Sequence, residues 1–433
     1  MKLFQQLLVA SAAIGLIAPI GAQATDINIE GMNSYSRSNL SSKKQKRFDS
    51  KSFVNELAKT DARIDAAEAK LNSFEAGSFS DTTTLGGKAV FVIGAVDGVN
   101  TLASNQEHLD SVTTAYIYSM DLNTSFSGDD NLYVRLKTGD GWTSSWDSKP
   151  GTYHIEAKDQ SDIMHVDKIW YTWPIGDSWT ATVGPKIENY YMLAATPSVY
   201  KPGALKAFKL GGHASAFGAS TSTGAGLTYK ADNGFAASTT FNSKKAATAV
   251  GLFTEGDQNK INTQIAFTKD NYHLSATYSI QRGWNSWSYY STKDLNAGTS
   301  ATTASADAVA LRAWWRPEEE GTATPSISVG YDLIDIDGTN VTEGSGYMVG
   351  LNWTEMFQPS DRIGIAVGQP MKATKAAAGQ TLSEVDPFLW EAYYAFRPND
   401  SIEITPAIFG GNDVYENTDE DLFGAVLTTT FKF

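Results

Sequence analysis

The 433-residue chain contains no cysteine. A disulfide, a thiolate nucleophile and a Cys-ligated metal are therefore excluded. Rigidity has to come from packing or from hydrogen-bonded backbone. Histidine is nearly as scarce: His108, His154, His165, His213 and His273 are scattered, without the close spacing of a zinc site. No Gly-x-Ser-x-Gly elbow occurs. Catalytic residues, metal and cofactor are all expected to be none. Asp335-Ile-Asp-Gly338 opens like a calcium loop, but Gly346 stands where that loop needs its last acidic ligand, so the stretch reads as a polar loop. Basic residues are outnumbered, 34 Lys and Arg against 48 Asp and Glu, and a net charge of −14 argues against nucleic-acid binding.

Long apolar runs are lacking too. The one such stretch, Leu7 to Ile20, follows Met1-Lys2 and precedes Ala22-Gln23-Ala24. It reads as a secretory signal peptide over 1–24, with the mature chain starting at Thr25. Lys2 is the only charge removed, so −14 becomes −15. No later segment suits a membrane-spanning helix.

What is abundant is glycine, hydroxyl residues and aromatics, arranged with period two. The terminal stretch 421–433 places Phe423, Ala425, Leu427, Thr429, Phe431 and Phe433 on one face and Leu422, Gly424, Val426, Thr428, Thr430 and Lys432 on the other. An apolar strand closing the chain on an aromatic suits an outer-membrane barrel, where Phe431 and Phe433 would serve as a signal to the barrel-assembly machinery. A buried terminal strand of a soluble sheet has the same pattern, so the rest of the chain decides.

Residues 25–51 are polar, with a basic cluster at Lys43, Lys44, Lys46 and Arg47. We expect little structure there. The cluster is either simply solvated or a contact for anionic cell-wall polymer. Over 52–77 the period changes: Phe53, Leu57, Thr60, Ile64, Ala67, Leu71 and Phe74 alternate spacings of four and three, and Gly77 follows as a C-cap. An amphipathic helix lying on its own domain would bury such a stripe. The 3.5-residue period favours a parallel coil joining copies of the chain through Phe53, Leu57, Ile64, Leu71 and Phe74.

From 82 to 433 sixteen strands can be laid out, at about 82–96, 113–124, 131–139, 165–175, 178–188, 223–231, 234–242, 261–269, 271–280, 307–316, 324–333, 345–355, 361–368, 387–397, 400–409 and 421–433. Their connections alternate long and short. Gly176-Asp177, Asp232-Asn233, Asp270-Asn271 and Pro398-Asn399 supply tight turns, while 189–222 and 334–344 are among the long ones. An even strand count with one tight rim and one loop-rich rim is the plan of an all-β, antiparallel transmembrane barrel in outer-membrane lipid. Closure pairs the first strand with the last, leaving no edge in lipid.

The heptad segment followed by Phe79-Ser-Asp-Thr-Thr-Thr-Leu-Gly-Gly-Lys-Ala-Val-Phe91, the start Met1-Lys-Leu-Phe-Gln-Gln-Leu-Leu-Val9 and Thr182-Val-Gly-Pro185 resemble cyanobacterial outer-membrane porins of the OprB-like carbohydrate-porin family, often described as iron-uptake porins. The resemblance implies a sixteen-stranded homotrimeric porin for passive diffusion of ions, small sugars and iron species. Such proteins commonly carry a surface-layer-homology domain before the helix. Residues 25–51 are too few for it, which puts wall anchoring in doubt. A structural tether between outer membrane and cell wall is the alternative function.

In a porin the site is whatever narrows the bore. The longest loop, 189–222, holds Lys201, Lys206, Lys209 and His213 and no acid. Inward positions on neighbouring strands add Arg135, Lys137, Lys168 and Lys186, with Glu188 opposing them. Tyr190, Tyr191 and Tyr200 could form a sugar-stacking surface. The competing reading is that these lysines only cover the loop's outer surface, or that acids elsewhere cancel them.

Overall fold

The computed structural model describes residues 80, 82–97, 112–140, 161–213, 221–288, 291–296, 304–383, 386–413 and 421–433. The expected signal peptide over 1–24, the polar segment 25–51 and the heptad helix 52–77 lie outside the described residues.

Sixteen strands follow one another: β1 (Thr83–Asp97), β2 (Thr113–Thr124), β3 (Asn131–Asp140), β4 (His165–Ile175), β5 (Trp179–Ile187), β6 (Ser222–Lys230), β7 (Phe235–Ser243), β8 (Asn259–Thr268), β9 (Tyr272–Arg282), β10 (Ser305–Trp315), β11 (Ser326–Asp337), β12 (Val341–Thr354), β13 (Arg362–Ala376), β14 (Phe388–Asn399), β15 (Ile402–Asn412) and β16 (Leu422–Lys432). Each pairs antiparallel with its chain neighbours, and β16 pairs with β1, so the sheet closes into a barrel.

Alternation explains why these residues make these strands, and its polarity is inverted relative to a soluble protein. On β9, Tyr272, Leu274, Ala276 and Tyr278 are exposed while His273, Ser275, Thr277, Ser279 and Gln281 are buried. Ile265, Leu274 and Leu311, on three adjacent strands, are 56%, 58% and 46% exposed. A contiguous apolar face of that kind is stable only against lipid. The other face is the inside of the barrel. It is polar along β7 to β9. Apolar residues on β1, β2 and β12 to β16, such as Val90, Ile117, Leu389 and Phe409, pack inside with Tyr200, Leu205 and Phe208.

At the closing seam the Gly87 N–H donates to the Phe433 carbonyl at 2.9 Å, and the Phe433 N–H donates to the Gly87 carbonyl at 3.2 Å. The Phe433 ring stacks on Tyr118 at 5.7 Å, and Phe431 lies 5.3 Å from Phe91. The tight rim is built as the turn chemistry implies. Gly176 and Gly234 adopt φ of +60° and +97°, which side-chain-bearing residues seldom occupy.

One connection differs from expectation. The 334–344 stretch is not a long loop: β11 runs to Asp337, β12 starts at Val341, and Asp335 pairs across with Glu343. Ile334, Ile336 and Val341 are buried in an apolar cluster with Trp287 and Leu295. Inner-face burial there outweighs the turn-like composition of Asp335-Ile-Asp-Gly338. β13 likewise continues to Ala376, past its expected end at 368.

Deleting Phe433 removes both seam hydrogen bonds and the stacked ring. The heat-resistant folded band on gels should fall markedly, while the molecules that do insert keep wild-type conductance. Normal folded yield would show that the seam does not need this residue.

Candidate functional site

The segment from Glu188 to His213, between β5 and β6, is held against the inner wall by side chains from most of the barrel's circumference. It includes two 3-10 turns, Asn189–Met192 and Lys206–Gly211. At its start the Lys168 ammonium lies 2.6 Å from the Glu188 carboxylate, which also accepts from the Thr221 hydroxyl at 3.1 Å. Burial pushes the Glu188 carboxyl up, but the Lys168 charge and hydrogen bond outweigh it and hold the group at about 2. The Ala194 N–H donates to Ser238, and the Gln264 amide accepts from the Ala195 N–H at 2.9 Å and donates to the Ala195 carbonyl at 3.2 Å. The Val199 and Tyr200 N–H groups then reach Ser328 on β11.

Two carboxylates hold the far end. Glu391 on β14 is fully buried and accepts from the Tyr200 hydroxyl at 2.7 Å and from the N–H groups of Gly203, Ala204 and Leu205 at 3.2, 3.0 and 2.7 Å. Asp332 on β11 accepts from the His213 N–H at 2.9 Å and pairs with Arg312 at 2.7 Å, whose Nε donates to the Leu210 carbonyl at 3.0 Å. Each charge is compensated by hydrogen bonds, as burial demands. The wall also makes room. A Cβ at Gly330 would stand 1.7 Å from the Gly211 carbonyl oxygen, and one at Gly350 would stand 2.5 Å from the Tyr200 ring.

Facing the start of the segment is the wall of β2 to β5. Arg135 pairs with Asp121 at 2.6 Å, and the Tyr133 hydroxyl donates to the same carboxylate at 2.6 Å. Aromatic rings continue from wall to loop: Tyr133 to Trp170 at 4.2 Å, Trp170 to Tyr191 at 4.9 Å, Tyr191 to Tyr190 at 4.4 Å. Cations flank this run, with Arg135 5.6 Å from the Tyr133 ring, Lys168 5.6 Å from Tyr191 and Lys209 4.7 Å from Tyr190.

The structure thus brings Arg135, Lys168, Glu188 and Lys209 together, with Lys206 close enough to act on the Glu188 charge. Lys137 takes the next inward position along β3, across from Ser119 and His165. Glu188 is the counter-charge of Lys168, at 2.6 Å. Lys186 is elsewhere: it is exposed and donates to the Val166 carbonyl at 2.7 Å, because a bulge between Gly184 and Ile187 shifts the alternation on which its inward placement relied. Lys201 is drawn instead to the β13–β14 wall, where its carbonyl accepts from the Tyr393 hydroxyl at 2.5 Å and that hydroxyl accepts from Arg362 Nε at 2.9 Å. Tyr200 is buried on Glu391, so it offers no stacking face.

Sequence reasoning missed Glu391, Asp332 and Arg312 as the holders of the loop. A signal was available for Glu391: it is the lone acid on the Leu389, Tyr393, Ala395 face of its strand.

A closed sixteen-stranded barrel with a lipid-facing outer surface, a polar bore and a long segment laid across its inner wall is the architecture of an outer-membrane porin. The description "Carbohydrate-selective porin, OprB family" matches residues 47–433, and the chain belongs to that family. It is 25% identical over 419 residues to the protein alr4550 of Nostoc sp., covering 88% of this chain and 70% of that one. It is 23% identical over 403 residues to sll0772 of Synechocystis sp., covering 82% and 70%. The fold is similar to that of Pseudomonas putida OprB, with a TM-score of 0.57 at 10% identity over 81% of this chain and 94% of that one. It is also similar to OmpT of Vibrio cholerae, with a TM-score of 0.51 at 9% identity over 83% and 100%.

Glu391→Ala strands three buried N–H groups and a tyrosine hydroxyl, each costing about 1–3 kcal/mol if water does not reach it. We expect a loss of at least about 3 kcal/mol in denaturant unfolding from detergent, with noisier single-channel currents. Equal stability would show that the loop is held elsewhere. The Glu188 carboxyl is depressed from its ordinary 4.5 to about 2, so its contribution is present above pH 4.5 and lost as pH falls through about 2. Current noise should rise over that interval in the wild type and not in Glu188→Gln.

Proposed function

We propose that this porin passes small hydrophilic solutes passively, with the 188–213 segment as an inward-folded third loop that narrows the bore against β2 to β5. The observation that carries this reading is the hydrogen-bonded attachment of that segment from Ser238 round to Glu391, which leaves its Tyr190, Tyr191 and Lys209 end facing Arg135 and Lys168. A constriction so lined offers aromatic faces to sugar rings and cations to anions. Tyr191 is 40% exposed and so within reach of a solute.

The charge lining favours anions, despite the acidic whole. On the arc from β13 round to β4, inner positions carry Lys88, Arg135, Lys137, Lys168, Arg362, Arg397 and Lys432, opposed by Asp121, Asp167, Glu403 and Glu391, the last buried beneath the loop. A narrow low-dielectric bore focuses the field of nearby charges, whereas loop acids at the rim are screened over roughly 8 Å at physiological salt. Among the described residues no group of His, Asp and Glu is placed to hold a metal. If iron passes, an anionic chelate suits the proposed basic lining.

The assembly proposed is a homotrimer in outer-membrane lipid, with the heptad segment 52–77 as a parallel coil on the periplasmic side. The 3.5-residue spacing supports it, and cyclic symmetry would bring three coils onto the axis. Crosslinking in mild detergent should give trimers, and monomers alone would overturn the assembly.

In a tenfold KCl gradient across a planar bilayer the wild type should show an anion-preferring reversal potential. Lys206→Glu with Lys209→Glu should move it toward cation preference. An unchanged potential would remove this loop from the constriction, and a strongly cation-selective wild type would overturn the charge argument.

A further inference from the structure

Beyond the constriction, a second group of cations lines the inner wall on β13 to β16. Arg362 opens β13, Arg397 lies near the end of β14, and Lys432 ends β16. The loop brings Lys201 to them: its carbonyl accepts from the Tyr393 hydroxyl at 2.5 Å, and that hydroxyl accepts from Arg362 Nε at 2.9 Å. One acid serves the group. Glu403 lies 2.9 Å from Arg397 and 3.7 Å from Lys432. Among the described residues no carboxylate stands within ion-pair distance of Arg362 or Lys201. The guanidinium contacts Tyr393 through Nε and over the ring face, at 5.6 Å. Partial burial, and after it the Arg362 charge, hold the Lys201 ammonium below the usual lysine range, although the Glu403 charge acts the other way.

Resting on the reading of the bore as a diffusion path, the geometry points to a second anion station, formed by Lys201, Arg362, Arg397 and Lys432, that takes small multivalent oxyanions such as phosphate or pyrophosphate groups. Four cations around one carboxylate leave a local excess of positive charge. Arg362 has terminal N–H donors for bidentate contact with an oxyanion, and its orientation is set by Tyr393. Lys201 and Lys432 are solvent-exposed, so a solute can reach them. The station occupies β13 to β16, a part of the basic arc separate from Arg135 and Lys168 on β3 and β4. An anion leaving the constriction would meet a second favourable site before the rim, which is how a pore keeps binding from becoming a trap.

The test is block of KCl current by inorganic pyrophosphate added to one side of full-length channels, with calorimetric titration of pyrophosphate into the detergent-solubilised protein. Wild type should be blocked more strongly from one side than the other. Arg362→Gln with Lys201→Gln should raise the half-blocking concentration at least tenfold and weaken the calorimetric affinity to match. Glu403→Gln, which removes the acid, should tighten both at least threefold, a gain that damage to the fold would not produce. Block and affinity unchanged in Arg362→Gln with Lys201→Gln would overturn the station, as would failure of Glu403→Gln to tighten either. Binding in solution without any wild-type conductance would overturn the pore reading while keeping the site. Conductance without pyrophosphate binding would do the reverse.

Discussion

Every strand of this protein crosses a layer that offers no water, so each backbone N–H and C=O within it must find a partner in the sheet. An unpaired group there costs several kcal/mol. Closure follows from that constraint. The register from Lys88 with Lys432 to Asp97 with Phe423 joins the last strand to the first, and an open edge would leave those groups facing lipid. The inverted polarity of the strands follows as well, because the outer surface must match hydrocarbon while the inner surface is free to be polar.

The loop inside the barrel obeys the same rule under a different supply of partners. Its backbone cannot join the sheet, since each strand is already paired on both sides. The wall answers with side chains: Ser238, Gln264, Ser328, Asp332 and Glu391 take up loop N–H groups that would otherwise be stranded. Carboxylates appear where several donors converge, because a charged acceptor repays its burial only through several hydrogen bonds. Inner-face glycines such as Gly330 let the loop backbone approach so closely that a methyl group would collide with it. Loop and wall are therefore one packed unit on that side.

This packing produces the proposed functional surface. Aromatic rings from β3, β4 and the loop meet as a short run flanked by Arg135, Lys168 and Lys209, while the acids among them are engaged by cations, Asp121 by Arg135 and both Asp167 and Glu188 by Lys168. In the proposed reading the net charge of −14 says little about what a passing ion feels, because the charges nearest its path are these.

The strands were legible because period-two alternation is local: each residue's face depends only on its parity within the strand. All sixteen were located, and the two faces of β16 were assigned as the structure has them. The alternation of tight and long connections, a local composition signal, identified the barrel and singled out its longest loop. Where parity was broken, sequence reading failed: the bulge before Ile187 turned Lys186 outward, and inner-face burial of Ile336 and Val341 made strands of an expected loop. Which side chains hold the loop, that Tyr200 is spent on Glu391, and that Lys201 joins Arg362 rather than Lys206 were decided only by the tertiary structure. Those partners lie 128 to 191 residues apart in the contacts that join Ser328 and Glu391 to the loop. No local period records which strand will stand across the bore.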